Sequence, residues 1–494
     1  MKTRLKDRNR SEKSASRNGR GNSMIAQAST PVIKKLSAPC LHLTSTLARQ
    51  NAAWAFADLP ADARLLVRQC LLDWIAVTLP GAREPLTHML AEEAREQGGM
   101  PHATVVGHGF ATSCRQAALV NGAASHALDY DDVNMSFTGH PSVVLVPALL
   151  ALAEARGASG ADFMTAFVAG YETLCRIGAA VSPGHHAQGF HATGTIGTFG
   201  AAAACARLLN LDADDTAVAL GIAATEAAGL KSMFGTMCKP LHAGKASADG
   251  MMAAQLAARG FTSRTDAIES MQGFAATHSP DFDADAALVQ PANGLHLRSN
   301  LFKYHAACYG THAAIEATRR LCRQHRLTGA KVRRVIVRVS SGSDGVCNIA
   351  TPRTGLETKF SLRHTVAMAL AGIDTSSMAS YSEASAADPL LSTLRERIRV
   401  ELVLHSTQLT RAEVEIQTVD GTTFELRYDS GIPATDLTAQ QAQLETKFHN
   451  LASPLLDEES CQEILDLIER LEDLPDLSPL AGLLAGQAGH RQTH

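Results

Sequence analysis

The sequence has no C-x-x-C pair among its 10 cysteines. Neither a zinc module nor a dithiol redox motif is therefore indicated. The cysteines stand scattered in apolar stretches such as "AAAACARLL", the placement of reduced core thiols in a reducing compartment. No apolar run reaches the ~20 residues that a bilayer-spanning helix needs. The longest, "VVLVPALLALAEA", contains Pro147 and ends in charge, so it reads as a buried helix. Aromatic residues make up only 5% of the chain. No excess of positive charge covers the molecule, whose net charge is −4, so neither a nucleic acid nor a membrane is an expected partner.

What is present is length, alanine and helical periodicity. At 494 residues the chain is too long for one ordinary domain. Residues 1–37, which include "MKTRLKDRNRSEKSASRNGRGNS", are basic, polar and without apolar periodicity, which predicts disorder. They read as a misassigned start with Met24 as the true initiator, as a targeting segment, against which Asp7 and Glu12 count, or as a nucleic-acid-binding arm that nothing else in the chain supports. From about Leu41 to Gly260 the pattern is helical almost throughout. "LPADARLLVRQCLLDWIAVTLPGA", "TSCRQAALVNGAASHALD", "HPSVVLVPALLALAEARG" and "SGADFMTAFVAGYETLCRIGAAV" each carry apolar residues at three- and four-residue spacing and end on Gly, Asn or a polar stretch. "GTIGTFG" lacks the preceding strand of a dinucleotide loop and reads instead as small residues for close helix contact.

After about residue 275 the period changes. "KVRRVIVRVSS" alternates like a strand, and "RAEVEIQTVDGTTFELRYDS" is two alternating runs across an Asp420-Gly421 turn. The last stretch is helical again. The expected fold is mainly α: a helical domain built from residues 38–275 and 436–494, with an α+β lid domain over 276–435.

Four polar clusters interrupt this apolar chain. "HALDYDDVNMSFTGHPS" fails as a calcium loop, since Val133 breaks the alternation and His140 stands where a Glu belongs. It lacks a supporting ligand pair for zinc, so no metal is expected. Asp129 and Asp132 are spaced to share a helix face, and His140 is placed at the start of the next helix, a good seat for an anion. "GHHAQGFHATGTIG" adds His191. "FGTMCKPLHAGKAS" sets Lys239, His242 and Lys245 between helices. "LFKYHAACYGTHAAIEA" brings Lys303, Tyr304, Cys308 and His312. Converging, these loops make a cationic pocket with few carboxylates, suited to a small polycarboxylate.

Together "NGAASHALDYDD", "GHPSVVLVPALLAL", "GFHATGTIGTFGAAAA", "GTMCKPLHAG", "KYHAACYGTHAAIEA" and "KFSL" resemble the MmgE/PrpD family over essentially the whole chain from Leu41 to Leu484. The resemblance implies a metal- and cofactor-free homodimer with its site between two domains. The expected location is the cytoplasm, or the mitochondrial matrix if residues 1–37 are a targeting segment. It implies catalytic roles for Asp129, His140, His191 and Lys239. Two positions depart from the family's decarboxylases: Val133 stands for a threonine and Cys308 for a histidine, while His312 matches a second histidine.

The family's dehydrations, decarboxylations and epimerisations all develop negative charge on carbon beside a carboxylate, which calls for fixed positive charge and an acid/base residue. The expectation is a metal-independent lyase on a small di- or tricarboxylate. In it Lys239 and His242 hold carboxylates, His140 and His191 exchange protons, Asp129 orients a histidine and His312 contributes from the lid. Lys303, Tyr304 and Cys308 add substrate contacts. An epimerase of an imino- or amino-dicarboxylate is the alternative, and a binding protein that has lost the chemistry a third reading.

Overall fold

The computed structural model of the chain describes residues 42–404 and 409–486, so the basic segment 1–37 lies outside the described residues. The amino-terminal part is a stack of helices: α1 (Leu43–Ala52), α2 (Ala61–Gly81), α3 (Pro85–Gln97), α4 (Cys114–His126), α5 (Ser142–Arg156), α6 (Gly160–Val181), α7 (Ala192–Leu208), α8 (Ala213–Glu226) and α9 (Cys238–Ala257). Their ends follow the local chemistry. Ser113 and Asp212 cap α4 and α8 through their side chains, Ser159 and Asp162 form a capping box on α6, and Gly157 closes α5 in the left-handed region.

Small residues set the spacing of this stack. α7 lies at its centre, buried over nearly its whole length, and packs on α6, α5, α8 and α9. A Cβ added to Gly197 would lie 2.9 Å from Val144, and one on Gly200 would lie 2.8 Å from Leu174. The glycines of "GTIGTFG" are therefore contact residues. The same holds where α4 crosses α9: a Cβ on Gly122 would lie 2.7 Å from the Cα of Gly244.

The second region carries a four-stranded sheet of β3 (Val332–Ser340), β4 (Ile398–Val403), β5 (Arg411–Thr418) and β6 (Thr423–Asp429), in the order β4-β3-β5-β6. β3 and β4 run parallel, and β5 and β6 form the antiparallel hairpin expected at Asp420-Gly421. Alternate residues of β5, from Ala412 to Thr418, are buried beneath α10 (Tyr309–His325); α11 (Leu362–Ala371) packs on α10 and β4. The chain then returns. α12 (Leu437–Ala452) lies along α2, where Gln440 donates to Gln69 at 2.7 Å and Gln69 donates to the Leu437 carbonyl at 2.8 Å.

Three local expectations are corrected. The nearly all-helical stretch contains a small hairpin, β1 (Ala103–Val105) and β2 (Phe110–Thr112), which turns through Gly107 and Gly109 at positive φ. Lys239, His242 and Lys245 do not lie between helices but in the first turns of α9, which starts earlier because Pro240 is tolerated in a first turn. Asp129 and Asp132 share no helix face, since α4 ends at His126 and Asp129 has φ 53°. Asp132 instead accepts from the Ser142 hydroxyl at 2.6 Å, at the start of α5.

Candidate active site

The loop between α4 and α5, residues 127–141, is held by ammonium groups from three distant segments. Three successive carbonyls are each taken by a buried lysine. Lys359 donates to Leu128 O at 3.1 Å, Lys303 to Asp129 O at 2.6 Å and Lys447 to Tyr130 O at 2.8 Å. A backbone bridge between Val133 and Leu301 and the Asp132–Ser142 contact fix the rest. A loop carrying three carboxylates and an imidazole is thus held in one conformation, and Asp129 occupies the left-handed region that non-glycine residues enter at a cost.

That conformation aims the Asp129 carboxylate at two cations. Its Oδ1 lies 2.6 Å from Lys239 Nζ and 3.1 Å from Lys303 Nζ. Burial disfavours the ionised acid, but Lys239 and then Lys303 outweigh it and hold Asp129 well below the usual carboxylate range. Burial likewise opposes the charge of Lys303, yet Asp129 and Asp131 raise its affinity for the proton. Lys359 stands farther from this carboxylate, and burial brings it down to about 8.

The carboxylate nearest the histidines is Asp131. It accepts from His126 Nδ1 at 3.0 Å and lies 2.7 Å from His140 Nδ1, although the latter ring is not aligned for a hydrogen bond. His140 Nε2 is 3.9 Å from Asp129 Oδ1. The rings of His126 and His191 stack with centroids 5.8 Å apart, and His191 Nδ1 meets His242 Nδ1 at 3.0 Å. Burial holds His126 down at about 4 and His191 well below its ordinary value, so both imidazoles are neutral near pH 7. They are placed to accept or relay a proton rather than to carry charge.

A cleft of about 110 Å³ opens onto these groups. Asp129, His140, His191, Lys239, Lys303 and Cys308 all line it, so the structure brings six of the expected residues together. His242 stands behind His191. Tyr304 and His312 lie elsewhere: both line a neighbouring polar cavity of about 500 Å³, where His312 Nε2 meets the Ala307 carbonyl at 3.1 Å. His312 does not line the same cleft; its ring packs on those of His305 and Tyr309. Nor is the pocket broadly cationic: its two lysines share one carboxylate.

Asp131, Lys359 and Lys447 were not singled out from the sequence. Lys447 had a signal, since it falls on the apolar stripe of α12 with Leu444, Phe448 and Leu451. Lys359 opens the matching stretch "KFSL" and Asp131 stands in "NGAASHALDYDD", so both lay in motifs to which no role of theirs was attached.

The potential ligand atoms of His126, Asp129, Asp131 and His140 lie within 4.8 Å of one another. The donor set suits a divalent ion by type, but two ammonium groups already occupy Asp129 Oδ1, and a cation placed there would face their repulsion.

Fold and site together describe an enzyme with a lysine–carboxylate–histidine cleft set between a helical stack and an α+β unit. Residues 45–287 match the MmgE/PrpD N-terminal domain and residues 305–473 the MmgE/PrpD C-terminal domain. The chain belongs to the MmgE/PrpD family. It is similar to cis-aconitate decarboxylase of Homo sapiens, 28% identical over 437 residues and covering 85% of this chain and 89% of that one. The cis-aconitate decarboxylase-like protein oryM of Aspergillus oryzae is 27% identical over 464 residues, covering 87% and 94%. Cis-aconitate decarboxylase of Aspergillus terreus is 26% identical over 459 residues, covering 86% and 92%.

Proposed function

We propose that the protein is a carboxy-lyase acting without a metal on a short unsaturated carboxylate of the cis-aconitate type. The observation that carries this reading is the Asp129 carboxylate held between two buried ammonium groups, with the imidazoles of His140 and His191 on the same cleft. The names of the relatives, all similar along the two domains, support decarboxylation over dehydration.

A lysine ammonium has three donors. Lys303 gives two to Asp129, whereas Lys239 gives one and keeps two. Lys239 is thus the anchor for a substrate carboxylate. When the bond to a departing carboxylate breaks, its electron pair passes through the adjacent double bond to the carbon beside the anchored carboxylate, and CO₂ leaves. The buried Lys239 ammonium stabilises the enolate-like charge, and burial strengthens such a donor. A proton then returns to carbon from His140, with His191 placed to relay it, and Asp131 stands 2.7 Å from His140 Nδ1. Asp129 keeps both ammonium groups charged and fixed.

The test is turnover followed by proton NMR in D₂O with cis-aconitate, 2-methylcitrate and iminodisuccinate in turn. Loss of CO₂ with one deuterium at carbon is expected, unchanged by EDTA. Lys239→Ala and His140→Ala should each lower kcat/KM by roughly 10²-fold or more. Near-wild-type turnover in both variants removes the assignment. Deuterium wash-in without loss of CO₂ replaces it with an epimerase.

A further inference from the structure

We infer that the thiols of Cys308 and Cys347, which border the same cleft, form an oxidisable pair that a small peroxide closes to a disulfide. The sequence offers no C-x-x-C, and these two cysteines meet only through the fold. Cys308 stands at the start of α10, and Cys347 ends the helical turn Asp344–Cys347. Both line the cleft that also holds Asp129, Lys239 and Lys303. The Cys347 thiol donates to the Cys308 sulfur. Gly310 makes room for this approach, since a Cβ there would lie 2.9 Å from Cys347 Sγ. A peroxide small enough to enter the cleft therefore meets two sulfurs already in contact.

The surroundings give the two sulfurs different roles. The thiolate is the nucleophile in this chemistry, and a helix N-terminus or a nearby cation favours it. Cys308 has both: the Gly310 N–H donates to its sulfur, and Lys303 lies close by. Donation from Cys347 is the largest influence, and it holds the Cys308 thiol below its ordinary value although burial opposes this. The same contact, with burial, raises Cys347 well above its own. Burial also pushes up the thiols of Cys70, Cys175 and Cys205. Cys308 is thus the attacking sulfur. It takes one peroxide oxygen; the O–O bond breaks, hydroxide leaves and is protonated to water, and Cys308 becomes a sulfenic acid. The Cys347 sulfur then attacks the Cys308 sulfur. The S–S bond forms, the S–O bond breaks, and the departing hydroxide carries away the Cys347 proton as water. Hydrogen peroxide gains the electron pair that the two thiols lose, and a dithiol reductant returns it.

The test treats the reduced full chain with a small excess of hydrogen peroxide, then alkylates with iodoacetamide, digests with trypsin and maps the peptides by mass spectrometry. The expected product joins residues 304–319 to residues 339–353, and dithiothreitol releases it. Alkylation of Cys308 and Cys347 should fall together, by roughly tenfold, ahead of the half-buried Cys238 and Cys322. Cys347→Ser should abolish the linked peptide and leave a Cys308 sulfenic acid that dimedone traps. Gly310→Ala keeps both thiols but puts a methyl group against Cys347 Sγ, and should lower the yield of linked peptide several-fold. Both cysteines still alkylated after Cys238 and Cys322 have oxidised would overturn the inference. So would linkage of either one to another cysteine, oxidation of Cys308 to the sulfinic acid without the linked peptide, or an undiminished yield in Gly310→Ala.

Discussion

Replacing Lys447 by methionine tests whether α12 holds the loop between α4 and α5. Lys447 Nζ lies 2.6 Å from Asp73 Oδ1, donates to Tyr130 O at 2.8 Å and to Lys303 O at 3.0 Å, and sits 4.0 Å from the Tyr130 ring centroid. Methionine keeps much of the volume and removes the charge and all three donors. Removing one partner of a buried ion pair costs about 3–5 kcal/mol, a large share of the ~5–15 kcal/mol that ordinarily separates native from unfolded chains. The other Asp73 oxygen is buried with no partner, so nothing nearby replaces the lysine. Burial already raises the proton affinity of Asp73, with Lys447 as the chief opposing influence. Without that lysine the acid binds its proton more tightly still. A carboxyl raised in the folded state favours folding below its unfolded value and loses that contribution as pH rises through its folded value. The penalty of Lys447→Met should therefore be larger at pH 8 than at pH 5. Urea midpoints followed by circular dichroism at the two pH values provide the measurement. Asp73→Asn in the Lys447→Met background should recover part of the loss. A Lys447→Met chain within about 1 kcal/mol of the parent at pH 8, or a loss equal at both pH values, would refute the reasoning.

Two further outcomes follow from the same packing. Asp132 is fully buried, and burial, followed by the charge of Asp73, raises its pKa from 3.8 to about 7. Its ionisation opposes folding as pH rises between those values, so thermal midpoints should show Asp132→Asn gaining on the parent from pH 5 to pH 8 and then levelling. Gly122→Ala puts a methyl group 2.7 Å from the Cα of Gly244, where α4 and α9 cross. The overpacking should cost about 1–3 kcal/mol, read as a lower thermal midpoint, whereas alanine at Gly482, which meets nothing within 4 Å, should cost far less.

The helices were legible because each carries its own period and its own stops; α6, with Ser159 and Asp162 at its start, is the plainest case. The β5–β6 hairpin was legible from alternation across Asp420-Gly421. The β1–β2 hairpin was not, because three-residue strands are too short to display a period against a helical background. β4 escaped for a different reason: it pairs in parallel with β3 across a connection of more than 50 residues, and no local turn announces it. Within the site, residue type and motif pointed to Asp129, His140, His191 and Lys239, which do meet. Their pairings were hidden. That Asp129 serves the lysines while Asp131 serves the histidines depends on a positive φ at one residue, and no periodicity encodes that. His312 is a converse case: it stands on the same helix as Tyr309, yet its side chain lines the neighbouring cavity.

The grip of Lys359, Lys303 and Lys447 on three neighbouring carbonyls also fixes when the protein becomes competent during synthesis. The strap bearing Asp129, Asp131 and Asp132 leaves the ribosome early, yet its last clasp arrives with α12, more than 300 residues later. Until then its acidic side chains lack their full set of counter-charges, and any fragment released before α12 carries every group proposed for the chemistry without the means to hold them in register.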